Sequence, residues 1–360
     1  MIKQVFWDVC TPDAACRTVA DRCANLQKQL AALCGSADRL VFVRLFFSDI
    51  ANQLAEVVAS PLYTGWLDKA AVSWVEQPPL DGSRISLLVA YAAPGVAVER
   101  QGTSDRMRIR VADAPEVFFQ RIRFSPAEAS HLTVAQQTEE AFRRHAEWIA
   151  PMGLTLEADC QRTWIYVRDI DNNYADVVRA RNRVFDSEGL TEHYIASTGI
   201  GGAFEVRDAY VGIDFLSVRR SDLSSVAYLQ ATDYLNPTRE YGVAFERGTS
   251  LTFSDASSLH LISGTASIDR HGECLFRGDV QAQTERLFLN IAKLLEAGGA
   301  RLSDMSWMTV YLRDVSDAPW VGAYLRRRFP QVPFVLTLAR VCRPEWLIEI
   351  ECFAQSAKQK

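Results

Sequence analysis

Several things are scarce in this 360-residue chain, and each scarcity excludes something. No run approaches the roughly 18 consecutive apolar residues of a membrane span. The opening MIKQVFWDVC has no secretory h-region, so the expectation is a cytoplasmic protein. Only 13 prolines and no low-complexity tract argue against disorder. Charge of one sign is lacking too: 39 basic against 44 acidic residues leave a net of −5, with no electrostatic footprint for nucleic acid. The one basic run, Arg326-Arg327-Arg328, suits the C-terminal end of a helix. The eight cysteines include no CxxC pair and read as reduced, mostly packed thiols. There is no GxxxxGK[ST], HExxH or GxSxG, and the five histidines do not cluster, so neither a cofactor nor a metal is expected. The glycine run Thr198-Gly199-Ile200-Gly201-Gly202 has Phe204 where a dinucleotide fingerprint needs its last glycine, and it reads as a tight turn.

What is present is a repeat. Gln137-Thr138-Glu139 opens an amphipathic stretch running through Phe142 to Ile149; Gly153-Leu154 leads to a strand, Trp164 to Val167, that ends in Arg168-Asp169. The same order recurs in Gln283-Thr284-Glu285, Phe288, Gly298-Gly299 and a strand from Met308 to Leu312 ending in Arg313-Asp314. Thr138 and Thr284 are 146 residues apart, Asp169 and Asp314 145. A fainter copy has a helix over 26–33, strand residues from Leu40 to Phe47, Ser48-Asp49, and a second helix near 51–58. After each Asp come a helix, a short turn and a closing strand: Ile85 to Val89, Tyr210 to Phe215, Leu347 to Glu351. The fold class is therefore α+β, in units 1–98, 99–222 and 223–360, the first lacking most of a leading hairpin.

Chemistry concentrates in the last strand. Glu349 and Glu351 are two apart and share a face. Close to an arginine, such a pair is either a solvation device on an edge strand or an acid in a cleft.

The two later copies resemble the Rid (YjgF/UK114) family, whose fold normally assembles as a trimer with sites between subunits. Residues from about 160 to 356 resemble more specifically the chorismatases, which use that fold to cleave chorismate to pyruvate plus a hydroxybenzoate or dihydrodiol. The matching segments are Arg162 to Tyr166, Ser197 to Gly201, Tyr241-Gly242, Phe245-Glu246-Arg247, Ile262 to Ser267, Arg277 to Val280, and Cys342-Arg343 followed by Glu349-Ile350-Glu351. The resemblance implies tandem Rid-like units packed as a pseudo-trimer within one chain, so that a monomer can complete its site, a further oligomer being left open. It implies a cofactor-free lyase with a small-molecule substrate, chorismate or a related enolpyruvyl acid, and no nucleic-acid or membrane partner.

Glu349 matches the acid that protonates the enolpyruvyl methylene. Arg343 and Arg247 match the carboxylate clamps, Arg162 a third, and Tyr234 and Tyr241 contacts to the ring or its hydroxyl. Gly264 and Cys342 match the 3-hydroxybenzoate-forming branch, where Cys342 is either part of the catalytic set or a shaper of the pocket. The sequence departs from the pattern at Tyr228, where a smaller or amide side chain is usual, and by about three extra residues before Tyr241. Two other classes remain open at this point: a Rid-type imine deaminase and a non-catalytic metabolite-binding protein.

Overall fold

Three sheets organise the chain in the computed structural model, which describes residues 4–357, with the side chain of Tyr241 outside that description. The first sheet comprises β1 (Val5–Cys10), β2 (Leu40–Phe47), β3 (Ala71–Glu76) and β4 (Ile85–Ala92), in spatial order β1-β4-β2-β3. The second comprises β5 (Val98–Thr103), β6 (Arg106–Val111), β7 (Val117–Ile122), β8 (Cys160–Val167), β9 (Ala196–Gly201) and β10 (Val211–Val218), in order β5-β6-β7-β10-β8-β9. The third repeats the second: β11 (Ser225–Tyr228), β12 (Gly248–Thr252), β13 (Ser257–Thr265), β14 (Met305–Leu312), β15 (Phe334–Leu338) and β16 (Ile348–Ala357), in order β11-β12-β13-β16-β14-β15. The first sheet has two strands fewer, the shortened hairpin anticipated from sequence.

Each sheet carries two long helices: α1 (Val19–Cys34) and α2 (Ile50–Ala59), α3 (Val134–Ile149) and α4 (Ile170–Ser187), α5 (Val280–Ala297) and α6 (Ala318–Arg328). The arginine run closes α6, where cations suit the helix dipole. The recurrent Asp starts the helical segment after each strand in three different ways. The Asp49 carboxylate accepts from the Asn52 N–H, Asp314 accepts from the Ser316 N–H, and Asp169 adopts φ +49° instead. Along α5, Leu287, Phe288, Ile291, Leu294 and Leu295 are buried, each contributing about 1.5–3 kcal/mol of transfer free energy.

The Gln-Thr-Glu motif has a mechanical role. Gln283 Oε1 accepts from the Leu347 N–H at 2.9 Å, and its Nε2 donates to Glu345 O at 2.9 Å, which ties α5 to the entry of β16. Gln137 binds the entry of β10 alike, accepting from Tyr210 and Val211 N–H and donating to Asp208 O. Thr138 and Thr284 return their hydroxyls to the carbonyls four residues earlier.

One reading needs correcting. Residues 196–201 form strand β9, parallel to β8, and not a turn. The glycines are there because neighbours come close: a Cβ at Gly199 would stand 2.8 Å from the Tyr174 ring, and one at Gly201 2.8 Å from the Arg340 carbonyl oxygen. Single bridges close the three units into a ring: Glu76 with Ala203, Pro79 with Thr337, and Ile200 with Val341. Their registers superimpose. Arg44, Trp164 and Thr309 occupy corresponding places on β2, β8 and β14, facing Leu88, Asp214 and Glu351 on the closing strands. The molecule is a pseudo-trimer in one chain, built of three tandem α+β units.

Candidate active site

A cavity of about 350 Å³ opens between the second and third units. Helix α4 contributes Tyr174, Arg179 and Arg181, β9 contributes Ser197 and Gly199, and the third unit supplies Phe245, Arg247, Gly264, Cys342, Arg343, Trp346 and Glu349. The cavity thus brings Glu349, Cys342, Arg343, Arg247 and Gly264 together.

Glu349 is 3% exposed and sits on β16, a central strand opposite Tyr311 on β14, so an edge-strand solvation role is excluded. Burial pushes its carboxyl up to about 8, the Glu351 charge adds to the rise, and Arg162 and Arg247 oppose it. Its position explains Gly264, since a Cβ there would lie 2.1 Å from Glu349 Oε1.

Directly behind is a polar knot around Glu351. Its Oε1 accepts from Trp164 Nε1 at 3.0 Å, Tyr311 Oη at 2.9 Å and Arg44 Nη1 at 3.4 Å; its Oε2 accepts from Arg162 Nη2 at 2.6 Å and Thr198 Oγ1 at 2.5 Å. All three units meet here, because Arg44 comes from the first. With five donors the Glu351 charge is held inside the fold, and Glu349, two residues away, has no such set.

Two expected binding residues are not brought to the cavity. Arg162 is fully buried and spends its guanidinium on Glu351, Thr198 and Ser263. Tyr234 packs instead between Arg286 and Lys293, whose cationic groups lie 5.7 and 5.4 Å from its ring centre. The Tyr241 side chain lies outside the described residues. Tyr228 stacks on His193 at 3.9 Å and is not among the cavity's described lining residues.

Burial and the nearby Glu349 raise the Cys342 thiol well above its usual range, so it stays neutral and bonds with Tyr174. Arg247 donates to Asn236 O and Oδ1, both at 3.2 Å, and lies 5.3 Å from the Phe245 ring centre; Arg343 lies 5.1 Å from that of Trp346. Lining residues that escaped sequence reasoning include Tyr174, Arg179, Arg181 and Trp346. Arg181 is 1% exposed, and the Trp346 Nε1–H is buried without a hydrogen-bond partner among the described residues. For Arg181 a usable signal existed, an arginine on the apolar side of a helix in step with Val177 and Phe185. The described lining holds four arginines against one carboxyl, Glu349.

The crystal structure of a chorismatase aligns with this chain at a TM-score of 0.66 over 98% of this chain and 99% of that one, with 19% identity. The fold is the chorismatase fold. The family model described as Endoribonuclease L-PSP matches residues 252–356, within the third unit. Single-unit structures match as well. A member of the YjgF/YER057c/UK114 family from Mycobacterium tuberculosis is 22% identical, covering 37% of this chain and 100% of its own, at TM-score 0.29. RidA from the Antarctic bacterium Psychrobacter is 21% identical, covering 36% and 98%, also at 0.29. In this chorismatase fold the cavity's two walls belong to successive units of one chain.

Proposed function

We propose that the protein is a chorismatase-type lyase that converts chorismate to pyruvate plus a hydroxybenzoate, with 3-hydroxybenzoate the favoured product. The observation that carries this reading is a buried carboxyl, held largely protonated at neutral pH, as the one described acid in a cavity lined by four arginines. A cavity of that charge suits a dianion, and a protonated Glu349 suits an electron-rich enol ether.

Glu349 gives its proton to the enolpyruvyl methylene, and the ether carbon becomes an oxocarbenium-like electrophile. The ring C4 hydroxyl oxygen bonds to that carbon as it loses its proton. Its bond to ring C4 and the bond between the ether carbon and the C3 oxygen then break, so pyruvate leaves with the C4 oxygen. Loss of the C3 proton aromatises the ring around the C3 hydroxyl and restores the proton to Glu349. The overall change balances without water, oxidant or reductant. Arg343 and Arg247 hold the two carboxylates, a task suited to planar guanidinium groups. Arg181 supports the same end, and the Trp346 N–H is available to a ring hydroxyl or carboxylate. Phe245 and Trp346 flank the ring, and Gly264 and neutral Cys342 shape the space beside the acid. Arg162 acts through Glu351 and does not touch substrate.

The test is incubation of the purified protein with chorismate, following pyruvate by coupled assay and ring products by chromatography. Pyruvate together with 3-hydroxybenzoate, lost in Glu349→Gln, is the expected result. Pyruvate with another ring product keeps the acid and changes the product. Ammonia released from 2-aminoacrylate with no pyruvate from chorismate replaces the reading with the imine deaminase.

A further inference from the structure

The three units also line a second, partly open cavity, of about 170 Å³, to which all three sheets contribute. Its wall is aromatic. Trp7 and Trp307 lie 5.2 Å apart between ring centres, Trp307 and Phe353 4.8 Å, Phe42 and Phe119 5.2 Å, and Trp164 and Phe353 6.0 Å. Gln355 is the one residue with a polar side chain other than an indole among the described lining. Protein interiors are packed too closely for a void of this size to be ordinary slack. An apolar cavity of about 150 Å³ stays dry and admits a benzene ring.

Two features narrow the ligand. The Trp307 Nε1–H is buried with no hydrogen-bond partner among the described residues, although an unmade bond of this kind is costly. The rim residues Ala114 and Pro115 also border a surface depression that carries Glu99, Asp113, Glu116 and Asp222 against Arg110. That field repels carboxylates, and the described lining holds no cationic side chain to pair with a buried carboxylate.

We propose that this axial cavity is a second ligand site, for an uncharged arene of about acetophenone size whose oxygen accepts from the Trp307 indole. Its chemistry is the reverse of the arginine-lined cavity, which suits anionic rings. The two sites therefore discriminate aromatic compounds by charge.

Acetophenone, toluene and benzoate are titrated into the full chain by calorimetry and tryptophan fluorescence. Acetophenone is expected to bind saturably with one-to-one stoichiometry and to quench emission, because three tryptophans line the cavity. Chorismate does not compete with it, and benzoate does not displace it. Leu259→Trp, at the half-buried wall, abolishes this binding and leaves pyruvate release from chorismate unchanged. Trp307→Phe weakens acetophenone about 5-fold, as loss of one net hydrogen bond implies, and leaves toluene unaffected. The proposal is overturned if acetophenone fails to saturate, if Leu259→Trp binds it unaltered, if chorismate displaces it, or if Trp307→Phe weakens both arenes equally.

Discussion

Two clefts of this molecule are built on one plan, and one of them has been closed. Between the second and third units, Glu349 faces Tyr311 across the ladder, and two residues on, Glu351 takes a hydroxyl from Thr198 of the neighbouring unit. Between the first and second units, Gly212 faces Tyr166, and two residues on, Asp214 takes a hydroxyl from Ser73 of its neighbour. Each inner carboxylate has an arginine partner, Arg162 at 2.6 Å and Arg123 at 3.0 Å. The outer position differs. A Cβ at Gly212 would stand 2.6 Å from the Phe204 ring and 2.9 Å from Arg123 Cδ, so that cleft is filled by protein. The inner carboxylate is thus part of how units join, and the outer one is the addition on which the proposed reaction rests.

The sharpest way to break the comparison is Glu349→Gln, which makes the open cleft as inert as the closed one. Pyruvate release should fall by at least about 10²-fold, as expected when a general acid is removed, with chorismate binding retained in calorimetry. Gly264→Ala comes next. The new Cβ displaces the Glu349 carboxyl, and a shift of about 1 Å lowers kcat on the order of 10²-fold with a smaller change in KM. Arg343→Gln removes a charged hydrogen-bonding partner worth about 1.5–3 kcal/mol, so KM should rise roughly 10- to 150-fold while the pH profile keeps its shape. In the closed cleft, Phe204→Ala should cost about 3–5 kcal/mol of stability in denaturant unfolding and leave kcat at the wild-type value.

A further effect concerns pH. The folded pKa of Glu349, about 8, lies above its ordinary value of 4.5, so above pH 4.5 the native state keeps a proton that the unfolded chain releases. That contribution is fully present below about pH 4.5 and is lost as pH rises through about 8. Glu349→Gln should therefore melt at the wild-type temperature near pH 4 and at a higher one near pH 8. Wild-type turnover should decline above pH 8, where the acid is ionised.

Much of this arrangement was legible in the chain, because repeats record themselves as spacing. The Gln-Thr-Glu helices and the Arg-Asp strand ends recur at matched intervals, and they are the parts whose function is local to one unit. What escaped was whatever depends on two units approaching. Gly199 and Gly201 read as turn residues, since nothing nearby in sequence reveals the Tyr174 ring or the Arg340 backbone pressing on them. Arg162 read as a clamp because its partner, Glu351, lies 189 residues away. Arg44 carried no signal at all, although the first unit sends it into the knot behind the acid. Trp346 carried no signal of its own, and only the cavity shows an indole N–H beside the acid strand.

The tethering of the three units has a kinetic consequence. Where such a cleft lies between separate subunits, its two walls part on dilution and catalysis falls with concentration. Here Tyr174 and Arg181 are bound to Glu349 by a continuous polypeptide, so their effective concentration is set by the linker and not by the solution. Specific activity should accordingly stay flat as the protein is diluted from micromolar to picomolar, at concentrations where an assembled trimer would have come apart.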